Sequence, residues 1–248
     1  MYLRSVYLLV GMLGICSIML FPSHEAAAQS FDDEEYGEED IYDPLETWNR
    51  GVYEFNDILD SYILKPTARG YRKVVPSWGR ERVHSFLRNL TEPVTFVNAV
   101  LQLDKDRAFT SFWRFTINST WGVGGMFDIA GQEGLVYRDE DFGQTLGKYG
   151  IGPGPYIVLP LLGPSDARDV VGKVADVFAD PFTYILEDDE PLLWTRYGVN
   201  VIDTREQLLD ITDDIDASSF DRYATYRSIF LQNRKSKISN GVPTTDIE

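Results

Sequence analysis

The chain has 248 residues, of which 44% are hydrophobic and 13% aromatic, and its formal net charge is −16. That size and apolar content suit one large domain with a sizeable core rather than two. The acidic balance excludes nucleic acid as a partner and general attraction to anionic lipid, since both need a basic field.

Residues 1–28 read as a cleaved export signal, with Arg4 as the positive start, Val6–Phe21 as the apolar run and Ala26-Ala27-Ala28 as an A-x-A site. The mature chain would begin at Gln29. The apolar run is shorter than the roughly 20 residues needed to span a bilayer, and no later segment is long and charge-free enough, so no transmembrane helix is expected. Cys16, the single cysteine, is a lipidation candidate within Leu13-Gly14-Ile15-Cys16. Ile15 is bulky where a small residue is wanted and the apolar run continues to Phe21, so cleavage after Ala28 is preferred to acylation. The mature chain then holds no thiol and no disulfide.

Residues 29–43 form an acidic linker: eight acids lie between Asp32 and Asp43 with no base among them, the pattern of a solvated, disordered segment. Asp43-Pro44 then offers an N-cap and a first-turn proline. Leu45, Trp48, Val52, Phe55, Ile58, Leu59 and Tyr62 follow at helical spacing, predicting an amphipathic helix that ends near Leu64, before Lys65-Pro66. Between Ser61 and Leu90, Lys65, Arg69, Arg72, Lys73, Arg80, Arg82 and Arg88 face only Glu81, a net +6 island. It reads either as a face neutralised by acids from elsewhere or as a collar at lipid-headgroup level, with Tyr62, Tyr71 and Trp78 as interfacial aromatics.

Helical spacing resumes over Val83–Leu101, with a break expected at Glu92-Pro93. From Lys105 to Trp121 the aromatics Phe109, Phe112, Trp113 and Phe115 point several ways, as in a buried or lipid-contacting helix. Leu146–Pro164 carries five glycines and four prolines in a strongly apolar setting and predicts an irregular, non-helical hairpin. Its apolar side chains require either a protein core or lipid, and its glycines fit a static wedge better than a moving gate. Ser165-Asp166 opens a helix with Ala167, Val170, Val171, Val174, Val177 and Phe178 on one stripe and Arg168, Asp169, Lys173 and Asp176 on another, the polar stripe facing water. Further helices are predicted over Thr204–Ile211 and Phe220–Lys235, a short flexible tail over 238–248, and no alternating strand pattern stands out. Asp188-Asp189 and Asp213-Asp214 read as polar loops.

Catalytic chemistry is undersupplied. The mature chain keeps one histidine, His84, and has no G-x-S-x-G motif and no His or Cys cluster at zinc spacing, so neither enzyme activity, metal nor cofactor is expected. A two-carboxylate hydrolase is not excluded by counting acids, but no pair stands out.

Several blocks carry a resemblance: DPLETWNRGVYEFND (Asp43–Asp57), RNLTEPVTFVNAVLQ (Arg88–Gln102), RFTINSTWGVGGMFDIAG (Arg114–Gly131), EDFGQTLGKYGIGPGPYIVLPLLGPSDARD (Glu140–Asp169), DPF (Asp180–Phe182) and IDTREQLLD (Ile202–Asp210). In this order they make the chain resemble the MlaA/VacJ family of outer-membrane phospholipid-transport proteins. The resemblance implies a mainly α, single-domain ring of amphipathic helices over 44–237 lying in the inner leaflet of the outer membrane, on its periplasmic face, around a polar channel. It also implies non-enzymatic movement of phospholipid towards a soluble periplasmic carrier, with a porin trimer as membrane partner. On that reading Arg168, Asp169, Lys173 and Asp176 are the candidate channel lining. Gly150, Pro153, Tyr156, Ile157, Val158, Leu159, Leu161 and Leu162 of the hairpin touch lipid, together with Phe109, Phe112, Trp113 and Phe115. Lys65, Arg69, Arg72 and Lys73 lie at headgroup level. The alternatives are a structural envelope protein that binds porins without moving lipid, and a periplasmic hydrolase.

Overall fold

The computed structural model describes residues 43–240. The expected export signal, Cys16, the linker up to residue 42 and the tail from residue 241 lie outside them. The described chain is mainly helical: α1 (Glu46–Leu59), a π-helical turn (Asp60–Leu64), α2 (Lys65–Val74), α3 (Ser77–Leu101), α4 (Lys105–Thr120), α5 (Ile129–Gln132), α6 (Phe142–Lys148), β1 (Tyr156–Leu159), β2 (Gly163–Asp166), α7 (Ala167–Ala179), α8 (Pro181–Ile185), α9 (Glu190–Gln207), α10 (Leu209–Ser218) and α11 (Arg222–Ile238). No helix among the described residues is long and apolar enough to cross a membrane.

Aspartates place the helix starts. Asp104, Asp128, Asp141, Asp166, Asp180, Asp189 and Asp221 each accept a hydrogen bond from a backbone N–H of the helix that follows. A carboxylate there satisfies an orphan donor and complements the positive end of the helix dipole, so part of the acidic excess is spent on caps. Two expected breaks do not occur. The first helix runs past Lys65-Pro66 because the wider turn at Asp60–Leu64, with the Lys65 N–H bonded to the Asp60 carbonyl, precedes the proline that lacks a donor. α3 runs unbroken through Pro93, where packing along α4 and the Glu92–Arg114 pair hold the chain helical against the proline's preference. Asp213-Asp214 likewise falls inside α10, not in a loop. Asp43 is no N-cap; its buried carboxylate takes the Asn49 amide at 2.8 Å, the Arg227 guanidinium at 3.1 Å and the Tyr223 hydroxyl.

The apolar hairpin starts later than its glycines and prolines imply, since Leu146–Lys148 finishes α6. β1 and β2 pair antiparallel from Tyr156 opposite Asp166 to Leu159 opposite Gly163, and a four-residue alternation does exist in β1. Tyr156 and Val158 turn inward to join Val52, Tyr223 and Phe230 in the main apolar cluster. Two asparagines of α1 fasten the hairpin. Asn49 donates to the Tyr156 carbonyl and accepts from the Val158 N–H, and Asn56 does the same for the Leu159 carbonyl and the Leu161 N–H, all at 2.8–3.0 Å. The second clamp holds Leu161 at the tip with φ +66, a left-handed conformation a branched side chain resists.

Helix contacts run from α2 to α9, α9 to α3, α3 to α6, α6 to α11, α11 to α10 and α10 back to α2, a closed circuit. α7 packs against α3, α6 and β2. Its approach to α6 depends on Gly172, where a Cβ would stand 2.4 Å from the Gly143 nitrogen.

A polar interior under an aromatic exterior

The side chains are sorted opposite to those of a soluble helical domain. On α4 the buried positions are Ser111, Arg114 and Asn118, while Phe109, Phe112 and Trp113 are 61%, 48% and 38% exposed. On α3 Asn89, Glu92, Thr95 and Asn98 are buried at three-residue spacing, and Phe86, Val97, Val100 and Leu101 face out. α7 buries Arg168, Asp169, Lys173 and Asp176 while Val171 and Phe178 are exposed. Helical periodicity made these helices amphipathic in either case; the fold turns the polar face inward.

That interior contains a small cavity of about 60 Å³, walled by Leu87, Thr91, Val94 and Thr95 of α3, Tyr137, Asp139, Glu140 and Asp141 ahead of α6, Asp176, Asp180, and Arg196, Tyr197 and Asn200 of α9. Beside it lies a buried charge network. Arg234 of α11 meets both oxygens of Asp141 at 2.6 Å and Asp169 at 2.5–2.7 Å; Arg168 bridges Asp166 and Asp169 at 3.1 and 3.2 Å; Lys173 donates to Ser165 at 2.9 Å. Burial works against the Asp141 carboxylate, but the Arg234 guanidinium holds it well below the usual carboxylate range. Asp176 behaves differently: burial first and the Asp141 charge second push it up to about 7, against hydrogen bonds from the Phe142 N–H and Asn98. Deeper between α3 and α4, Glu92 pairs with Arg114 at 2.5 Å, and Arg114 reaches Asp128 at 3.0 Å; burial raises Glu92 to about 7 despite Arg114.

A family model described as MlaA lipoprotein matches residues 41–237. The chain belongs to the MlaA family. A relative from Escherichia coli (strain K12), the intermembrane phospholipid transport system lipoprotein MlaA, is 40% identical over 80% of this chain and 79% of its own. The protein of the same description from Haemophilus influenzae is 34% identical over 80% of each chain, and an uncharacterized Rickettsia bellii protein is 40% identical over 80% of this chain and 78% of its own. A solved structure reported as "Structural basis for maintenance of bacterial outer membrane lipid asymmetry" matches at 36% identity with a TM-score of 0.71, covering 79% of this chain and 99% of that one. The mainly α reading and the resemblance to MlaA stand on these findings.

Against the MlaA frame, the expected site residues divide. Of the four channel candidates only Asp176 lines the cavity; Arg168, Asp169 and Lys173 are 7%, 2% and 2% exposed and engaged with one another's neighbours, so the polar stripe of α7 does not face open water. The reason is α11, whose Arg234 covers Asp169. In the hairpin, Tyr156 and Val158 are core residues and unavailable to lipid, Ile157, Leu159 and Leu162 are half-buried, and Gly150, Pro153 and Leu161 are exposed. The α4 aromatics stand outward, Phe115 half-buried. The basic collar is largely neutralised: Lys65 and Arg69 pair with Asp213 at 2.6 and 2.7 Å, and Arg72 with Glu206 and Asp210 at 2.6 Å, while Lys73 is exposed. Glu140, Asp141, Arg196 and Arg234 have no role in the site on sequence alone, although Arg234, four residues after Phe230 and on its helix face, breaks that face with a charge and is the available signal.

Proposed function

We propose that this chain is an envelope protein that moves phospholipid without chemical turnover, as a polar conduit set in the periplasmic leaflet of the outer membrane, and so helps to keep that membrane's lipids asymmetric. One observation carries the reading: among the described residues buried polar and charged side chains outnumber buried apolar ones, and the tryptophans and many phenylalanines stand exposed. Drawing a phospholipid's two acyl chains into water costs on the order of 20 kcal/mol at about 0.8 per methylene. Passing its charged headgroup through hydrocarbon costs tens more in the limiting case. A protein that is apolar outside and polar inside lets tails stay with lipid while the headgroup crosses among dipoles and ions. The names of the relatives support the cargo, phospholipid between membranes. A soluble periplasmic carrier as acceptor, a porin trimer as membrane partner and movement from the outer membrane towards the carrier complete the proposal.

Among the described residues the hydrolase alternative can draw on the Ser165–Lys173 pair, which is fully buried, and on His84, which meets Asp203 at 3.1 Å; neither pair lines the cavity. The test is transfer of labelled phospholipid from donor vesicles holding the protein to an acceptor, with products weighed by mass spectrometry. Transfer of intact lipid is expected; cleaved lipid, or copurification with a porin in the absence of any transfer, would overturn the reading in favour of one alternative or the other. Mature protein is expected to stay with membranes through high-salt and carbonate washes.

A further inference from the structure

We infer that Asp176 seats a primary ammonium, so that the cavity favours a phospholipid whose headgroup ends in an amine over one bearing negative charge alone. The inference rests on the conduit reading and names its substrate class. Five carboxylates line the cavity, and four have a basic partner: Asp139 has Lys237 at 2.6 Å, Asp141 has Arg234 at 2.6 Å, Asp180 has Arg196 at 2.8 Å, and Glu140 has Arg107. Asp176 is the exception. It is 1% exposed and accepts only from neutral donors, the Asn98 amide at 2.8 Å and the Phe142 N–H at 3.1 Å. Arg234 is committed to Asp141 and Asp169 and acts on Asp176 only from beyond ion-pair distance. A buried carboxylate without a compensating cation is costly, and a cation entering the cavity relieves that cost.

The cavity lining holds a second polar group short of partners. Tyr197 is 5% exposed, and its hydroxyl has no partner beyond the Thr183 hydroxyl beside it. An ammonium brings three donors and suits a carboxylate and a hydroxyl together, whereas a quaternary amine brings none. A divalent cation needs several oxygen ligands at once, and the other carboxylates are already occupied. Arg196, which spends few of its five donors on Asp180, lines the same cavity and matches the phosphodiester. A purely anionic headgroup would bring charge of the same sign to Asp176.

The test measures transfer by the full chain of three lipids with identical acyl chains: phosphatidylethanolamine, its N-acetyl derivative and phosphatidylglycerol. The wild type is expected to move the first roughly tenfold faster than the other two, the size of one charge-assisted hydrogen bond. In Asp176→Asn the ratio should fall to about one. The N-acetyl lipid tests the same point without touching the protein, so a variant that folds poorly leaves the answer intact. Equal rates for all three lipids in the wild type overturn this inference and leave the conduit standing. Transfer of none of them overturns the conduit and this inference with it.

Discussion

The hairpin corner and the α3–α4 pair solve opposite problems with the same kind of helix. Around β1, α1 and α11 the apolar side chains Val52, Tyr156, Val158, Tyr223 and Phe230 pack on one another, with the Tyr156 ring tilted 5.9 Å from Phe230 and edge-on 6.4 Å from Tyr223, as in a water-soluble core. Along α3 and α4 the inner face holds Asn89, Glu92, Arg114 and Asn118, and the rings of Phe109, Phe112 and Trp113 pack edge-on to each other at 5.5–6.0 Å on the outside. The first region buries its own apolar surface; the second leaves its apolar surface exposed. An aromatic load alone therefore says little about membrane contact until the direction each ring faces is known.

Four perturbations break or sharpen this contrast, and the largest acts on the charge network that joins the two regions. Arg234→Leu should lower stability in detergent by about 3–5 kcal/mol, measured by denaturant midpoint, because Asp141 is left buried without its cation and Asp169 keeps only Arg168. Phe230→Ala should cost about 3 kcal/mol in the same measurement by opening a cavity in the hairpin core. A much smaller loss would show that this core is not what stabilises the corner.

Asp176→Asn should act in the other direction, and only at neutral or alkaline pH. Burial raises the folded-state pKa of Asp176 to about 7, so the folded form binds its proton more tightly than the unfolded one. Its protonated carboxyl group therefore favours the fold fully below the unfolded value near 4, and that contribution is lost as pH rises through about 7 and the group ionises in its buried place. The variant is expected to be more stable than wild type at pH 8, on the order of 2 kcal/mol, with the gain gone near pH 4; thermal melts at both pH values decide it. The smallest change in stability belongs to Phe109→Ser, Phe112→Ser and Trp113→Ser combined, within about 1 kcal/mol in detergent. Binding to lipid vesicles should nevertheless fall at least roughly tenfold. If the triple variant instead unfolds, those rings are core residues and the contrast fails.

Much of this was legible in the chain. Periodicity located α1, α3, α4, α7 and α11, and the glycines and prolines after Lys148 announced the hairpin, because these are local effects of spacing and backbone freedom. The direction of each amphipathic face was not legible, since a helical wheel says that two faces differ and not which one meets its neighbours. Partners distant in sequence were equally hidden: Asp141 and Arg234 lie 93 residues apart, and Arg72 finds Glu206 across 134. For the same reason the basic island looked unpaired until α9 and α10 brought their acids to it. Pro66 and Pro93 misled because a wide turn in one case and packing in the other outweighed a local preference.

Asn49 and Asn56, two turns apart on α1, hold opposite ends of β1 through both a donor and an acceptor each. The helix thereby stands in for a third strand, and four hydrogen bonds would have to open together for the hairpin to swing alone. Any displacement of the hairpin must carry α1, and with it the outward Trp48 and Phe55, so that motion at this corner would be felt at the surface as the rocking of a rigid plank.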